Sequence, residues 1–529
     1  MGLNIVRGTG NSGRSAPGFT YYTGKMFYGT APSTAGWTQY TNPVTIKARQ
    51  ILSAQAALDA GILPNTDNVA ATYTSVCTIG DVGNVILVEA TIPVLGGITK
   101  LVTLATLTLA TATLTLQINE IRDAINAQTF NTGFSATTAF GTTITFIAPT
   151  SLGKYFNTGT PYTFTVTPIS IPVHTFVFGA QALVISGTAS LYAAIYYHIS
   201  EYYRMNPTGN LTVGFISASS SWKELLALQI ASGNQLRQIG IFDTNTSNGL
   251  AANILATVEE ICTTVATSAT PFEVVYQPNI TAVADLSTMP NGNNNSVGTN
   301  VQVITTQDGL AQGGLLYLES GYSIGNLGAN LGCLSKSRVS SSIAQPIQTF
   351  NISDGVENNT PALANGQFLS AISVSLYQQL FGTTANNTSG YCYIGSATYP
   401  GNVAGTFFSG NAMFTAQASS YSFMNDNRVW DMVTRICQQT YIPFLNSEVE
   451  FNPDGTISSL SVLYLQNLGV AAITAGMITG INPPYISGTP IVTIDPSQPL
   501  QATNVLQIAV STTENGIARN ITITNGFSN

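Results

Sequence analysis

The sequence predicts an α/β (α+β) multidomain protein: an α/β core whose helices flank a mixed sheet, a β-rich inserted domain, and extended arms at both ends. Three observations carry this. From 189 onward, apolar runs of strand length alternate with helical periodicity. Residues 76–180 instead alternate Thr with aliphatic residues, the texture of strands with one wet face. Hydrophobic residues make up 44% of the 529 and charged residues only 8%, where soluble domains carry roughly a quarter charged. The surface must therefore be built from Thr, Ser, Asn, Gln and Gly, which can be covered by other chains without the desolvation cost of ions.

In chain order, 1–25 is a Gly- and Ser-rich N-terminal arm and 26–75 the first part of the core. Met26 to Gly29 and Val44 to Ile46 read as short strands, and Ala48 to Ala60 as a helix closed by Gly61 and Pro64. The insertion, 76–180, has strands at Val85 to Val88, in the 101–116 tract, at Thr143 to Ile147 and at Tyr162 to Val166. One helix interrupts it, with Ile118, Ile121 and Ile125 on one face. The core resumes over 181–500. Helices are expected at Leu191 to Met205, at Ser221 to Ser232 and from a Ser247-Asn248 cap through Cys262. Strands are expected at Leu211 to Ile216, Gln238 to Phe242, Phe272 to Tyr276 and Val301 to Ile304. Their nearly continuous apolar character suits a sheet buried on both faces. Then come a helix at Phe368 to Leu380, strands at Tyr391 to Ile394 and Phe407 to Phe414, and a helix from Asp426 to Phe444. Two hairpin signals follow, Pro453-Asp454-Gly455 and Asn515-Gly516, the second between Leu506 to Val510 and Ile521 to Ile523. Residues 501–529 read as a C-terminal arm, an alternating ribbon able to add to another subunit's sheet edge.

Composition excludes several classes. A net charge of −8 with only 16 scattered basic residues argues against direct nucleic-acid binding, which needs clustered Lys and Arg. The Leu101 to Leu116 tract is too short and too rich in Thr to span a membrane, so no membrane insertion is expected. The start, Met1 to Arg7 followed by glycines, lacks the apolar core of a secretory signal. Five cysteines, at 77, 262, 333, 392 and 437, have neither disulfide nor zinc spacing and read as buried thiols.

No residue stands out as catalytic, cofactor-binding or metal-ligating. Gly8-Thr9-Gly10-Asn11-Ser12-Gly13-Arg14-Ser15 approaches a phosphate loop, but Pro17-Gly18 forbids the helix that would face the anion. Gly321, Gly325, Gly328 and Gly332 lack a Gly-x-Gly pair and read as close helix packing. Only His174 and His198 could serve a histidine-dependent nucleophile, and His198 lies on a Tyr-rich helix that suits packing better. Glu259 and Glu260 are sequence neighbours and do not converge on one bond, and Asp454-Gly455 has no ladder of acids around it. The chain is expected not to be an enzyme.

His198-Ile199-Ser200-Glu201-Tyr202-Tyr203-Arg204-Met205-Asn206-Pro207-Thr208-Gly209-Asn210-Leu211 resembles contractile-tail sheath proteins of phages, in particular the Bacteroidetes-type branch. The likeness continues at Gln302-Val303-Ile304, Gly325-Asn326-Leu327-Gly328, Leu334 to Val339, Ser342-Ile343 and Phe350-Asn351. It extends to Asn427-Arg428-Val429, Glu448-Val449-Glu450 and Asp454-Gly455-Thr456-Ile457, and at the start to Phe27 to Pro32 and Asn42-Pro43-Val44. The order of these short segments carries the weight, over most of 20–60 and 190–529.

The resemblance implies a structural subunit that polymerises as stacked hexameric rings around a tail tube protein and contracts to drive the tube through the host envelope. Its partners would be further copies of itself through exchanged terminal strands, the tube, and baseplate and tail terminator proteins. It would reside in the virion tail after assembly in the host cytoplasm, with no cofactor. Removing 504–529 should stop ordered polymerisation and leave a folded core. Other readings are a tube or baseplate subunit, or the sheath of a bacterial contractile injection system. A carbohydrate-active or adhesive surface protein would call for a signal peptide and clustered acids or aromatics.

Overall fold

The computed structural model describes residues 22–64, 69–157, 161–188, 191–216, 221–244, 252–267, 270–280, 289–292, 298–354, 358–382, 390–398, 404–409, 412–416, 419 and 421–516. The chain opens with β1 (Tyr22–Tyr28), β2 (Thr38–Tyr40), β3 (Ile46–Ile51) and α1 (Ala54–Asp59). The insertion follows: β4 (Thr72–Thr78), β5 (Val85–Val94), β6 (Ile98–Thr108), α2 (Leu114–Ala127), α3 (Thr129–Thr132), β7 (Ser135–Ala139), β8 (Thr143–Ile147), β9 (Tyr162–Thr167), β10 (Val177–Phe178) and β11 (Ala182–Ile185). The core returns with α4 (Leu191–Met205), β12 (Asn210–Ile216), α5 (Glu224–Ala231), β13 (Gln238–Phe242), α6 (Ala252–Thr267), β14 (Glu273–Gln277), β15 (Val301–Ile304), β16 (Thr306–Asp308), α7 (Gln312–Ser320) and α8 (Leu327–Lys336). Then come β17 (Pro361–Leu363), α9 (Val374–Phe381), β18 (Tyr391–Thr398) and β19 (Ala404–Ser409). The C-terminal elements are α10 (Met424–Tyr441), α11 (Ser459–Met477), β20 (Ile486–Thr493), α12 (Leu500–Thr503) and β21 (Ala509–Glu514).

The core is one nine-stranded mixed sheet in the order β19-β18-β15-β14-β13-β1-β12-β3-β2. Its middle, from β18 to β12, is parallel, and the outer pairs are antiparallel. Successive residues of β1 explain the layering, because side chains alternate between faces. Phe27 packs with Leu211, Phe215 and Phe242 under α4 and α8. Met26 and Tyr28 pack on the other side with Leu225 and Leu228 of α5 and Leu255 and Val258 of α6. A strand buried on both faces has no use for alternating polarity, which is why these runs read as continuously apolar.

The insertion keeps a core of its own, with Ile118, Ile121 and Ile125 of α2 against Val88, Leu104, Phe146 and Tyr162 of its two sheets. A fourth cluster joins Val433, Ile436 and Cys437 of α10 to Leu465, Ile473 and Met477 of α11 and to Ile486 and Val510 of the β20–β21 pair. Buried arginines strap α10 to the core by donating to carbonyls. Arg428 reaches Leu334 O at 2.9 Å and the Ser337 hydroxyl at 2.7 Å, and Arg435 reaches Leu236 O at 3.0 Å as well as Pro271 O.

Several elements differ from the sequence reading. Ile46–Ile51 is a strand, because Ile46, Ala48 and Ile51 face inward while Lys47 and Gln50 face out, and the helix begins only after the Ser53 cap. The 101–116 tract divides into the end of β6 and the start of α2. α9 starts at Val374, where Ser373 accepts from Leu376 N–H, rather than at Phe368. Tyr22 to Lys25, read as arm, form the first half of the central strand, and Lys25 is fully buried. β21 pairs with β20; the expected hairpin partner at Ile521 to Ile523 lies outside the described residues, as do Gly8 to Ser15 and the Ser247-Asn248 cap.

Candidate assembly surface

α11 was not anticipated. It carries no Asp, Glu, Lys, Arg or His, and none occurs between Asp454 and Asp495. By length and composition it is the one helix, among the described residues, apolar enough to cross a membrane. One edge, Leu465, Gly469, Ile473 and Met477, is buried against α10 and β20, with the Tyr441 hydroxyl donating to Leu465 O at 3.0 Å. The opposite edge leaves Leu460, Leu463 and Tyr464 more than half exposed. Tyr464 meets the Phe444 ring at 6.0 Å, so the bare face continues onto the segment after α10, where Ile442 and Leu445 are exposed. Large apolar side chains left exposed together on a helix ordinarily mark a surface that another element or chain covers. At the end of β21, next to α10, the pKa of Glu514 is pushed up to about 7, by burial first and then by the neighbouring Asp426.

The residues weighed as catalytic candidates are dispersed. His198 sits fully buried between Phe27 and Phe242, with ring centroids at 6.5 and 4.7 Å, and neither ring nitrogen meets a hydrogen-bond partner among the described residues. Lys25 Nζ donates to its carbonyl oxygen at 3.0 Å. Burial lowers the pKa of both groups, and the Lys25 charge lowers that of His198 further. On the next turn of α4, Glu201 accepts from Arg204 at 2.7 and 2.8 Å and from Asn358 at 3.1 Å. This polar knot lies in the interior, where α4 crosses α8. A Cβ on Gly328 would fall 2.9 Å from Glu201 Cβ and nearer still to His198 O, and one on Gly332 would fall 2.7 Å from Tyr202 O. The glycines therefore permit helix contact.

His174 lies elsewhere, half exposed in the insertion beside Asp81 at 3.5 Å. Glu259 accepts from Asn300 N–H at 2.8 Å and from the Thr299 hydroxyl, tying α6 to the start of β15. Asp454 accepts from Thr456 N–H at 3.0 Å and closes a turn. All five cysteines are buried and free of disulfides, with the Cys333 thiol pushed up to about 12 by burial. Among the described residues no three His, Cys, Asp or Glu side chains gather as a metal site.

The apolar C-terminal unit is also where family similarity is found. Residues 420–529 match the family model described as DUF2586, C-terminal domain. No curated protein matches the chain. Among solved structures, the chain is similar to one from the cryo-EM structure of the anti-feeding prophage (AFP) baseplate, 6-fold symmetrised, at 10% identity. That match covers 63% of this chain and 80% of the other, and at its TM-score of 0.39 the likeness carries no argument.

Proposed function

We propose that the chain is a non-enzymatic structural subunit of a contractile-tail particle, and specifically the sheath protein that stacks around an inner tube. The order of sheath-like segments along the sequence supports the reading. The observation that carries it is the bare apolar face of α11, within a stretch free of charge from Asp454 to Asp495. In a chain of net charge −8, a surface free of charge can meet copies of itself without local like-charge repulsion. In the assembled particle a neighbouring chain covers this face, while the straps from Arg428 and Arg435 make the C-terminal unit move with its own core.

Contraction, on this reading, exchanges one packing of cores for another, and the difference between the two packings supplies the energy without a nucleotide. The partners are further copies of the chain, the tail tube, and the baseplate and terminator proteins that end the polymer. The test is substitution of Leu460, Leu463 and Tyr464 by Ser, followed by negative-stain electron microscopy. Loss of tubes with far-ultraviolet circular dichroism unchanged supports the proposal, and tubes identical to those of the parent chain contradict it. Closed rings that never stack, formed by the parent chain, would move the reading to a baseplate component.

A further inference from the structure

We propose that the C-terminal unit, residues 424–516, swings away from the rest of the chain as a preformed body, pivoting at Met424 and latched by Arg435. The unit has an apolar core of its own, and its β20–β21 pair joins no other sheet. Among the described residues, Met424 alone of the unit enters the core cluster that contains Phe27 and Phe242. Val339 alone of the rest of the chain enters the unit's cluster. The buried apolar link between the two parts is therefore narrow.

What joins them is the second face of α10. Val429, Val433, Ile436 and Cys437 pack with α11, while Asn427, Asp431 and Arg435, spaced i, i+4 and i+8, are buried along another stripe. The Asn427 amide donates to Thr299 O at 2.5 Å, and Arg435 donates to Leu236 O at 3.0 Å and to Pro271 O. Those carbonyls lie two residues before β15, β13 and β14, three adjacent parallel strands. Two turns of helix span about 11 Å and two strand spacings about 10 Å, so α10 lies across the strand starts and grips backbone. From the core side, Arg338 donates to Asn482 O at 2.6 Å and to Pro483 O.

Such a seam opens at small cost. A carbonyl released by a side chain takes water instead, and a buried guanidinium regains its hydration. Asn425 Oδ1, Asn427 Oδ1 and Arg435 Nε are buried with no hydrogen-bond partner among the described residues, so the closed seam strands them and opening returns them to solvent. The start of α10 stays in place, because Met424 is fully buried in the core and Phe423 bridges to Ala412. Arg435 holds the helix three turns further on. While docked, the straps carry the unit with its core; once released, the chain has a second arrangement of the same folded parts.

The test is thiol labelling of the full chain carrying Thr434→Cys, read residue by residue by peptide mass spectrometry. Position 434 is buried on the seam edge of α10, seven residues after Asn427, whereas the native Cys437 is buried in the unit's own core. Labelling at 434 reports opening of the seam, and labelling at Cys437 reports unfolding of the unit. The introduced thiol is expected to react more than about tenfold faster than Cys437. Arg435→Met and, separately, Arg338→Met should each speed it about tenfold further, the effect of losing one or two hydrogen bonds, and leave Cys437 unchanged. Equal rates at the two positions would overturn the proposal, and so would variants that accelerate both together, since the unit would then leave its core only by unfolding. A rate at 434 that neither substitution moves would overturn it as well, because no seam contact would then govern access.

Discussion

Gly328→Ala probes the most tightly constrained point of the core. The added methyl would lie 2.9 Å from Glu201 Cβ and nearer still to His198 O, so α4 and α8 must part by more than about half an ångström to reach ordinary contact. Overpacking of this kind costs about 2 kcal/mol. The displaced His198 carbonyl is the acceptor for the buried Lys25 amine, and leaving that donor unpaired adds about 2 kcal/mol. The better helix propensity of Ala returns about 1 kcal/mol. The net loss of about 3 kcal/mol lowers hydrogen-exchange protection of α8 amides on the order of 100-fold. Hydrogen–deuterium exchange is the right assay, because several domains make a single unfolding transition ill-defined. Gly395→Ala, where a Cβ meets nothing within 4 Å, serves as the control and should leave protection unchanged. Equal protection in Gly328→Ala and the parent chain would refute the argument that this glycine exists for helix contact.

Four further outcomes follow from the same structure. His198 has a folded pKa below its unfolded value of about 6.5, so it opposes folding once charged, and stability should fall as pH drops below that value. His198→Gln should flatten the fall measured by urea midpoints and leave assembly intact, whereas a catalytic role would leave assembly and stability untouched and abolish an activity. Lys25→Met removes a buried amine and should leave the protein at least as stable at neutral pH; a loss above about 3 kcal/mol would show that the Lys25 bond to His198 outweighs its desolvation. Glu514 has the opposite sign. Its folded pKa of about 7 exceeds the ordinary carboxylate value, so the stabilisation is complete below about 4.5 and disappears as pH rises through 7. Protection factors of β21 amides, taken relative to the intrinsic exchange rate at each pH, should fall over that interval and stay level in Glu514→Gln. Deleting 517–529 spares the β20–β21 ladder, which ends at Glu514, and should leave the C-terminal unit folded while stopping ordered polymerisation. Tubes of normal order from that deletion, seen by negative stain, would rule out a terminal-strand exchange model.

The α/β core was legible because its signals are local. α4 starts and stops at the residues expected, Leu191 and Met205, and β13 and β15 match their apolar runs. The glycines of α8 were read as packing positions, and they lie against the α4 backbone. The misreadings share a cause in partners distant in sequence. Ile46–Ile51 contains Lys, Arg and Gln, good helix formers, but its pairing with β12 makes it a strand. α11 escaped notice because Leu, Val, Ala and Ile recur on every side and give no amphipathic period. The pairing of β21 with β20 was not legible because β20 lies some twenty residues upstream, while the turn signal nearest to β21, Asn515-Gly516, points to a strand outside the described residues. The bare face of α11 was not legible at all, since a sequence shows which residues are apolar and not which of them stay uncovered. The scarcity of charge raises the expectation of surfaces meant for neighbours, and the exposed residues of α11 are where the proposed neighbour would sit.

The most direct test of the central claim is negative-stain electron microscopy of the purified full chain over a series of rising concentrations. A sheath subunit should give tubes of uniform width with a wide lumen. Monodisperse single particles at every concentration, with no tube formed when its partner proteins are added, would contradict it.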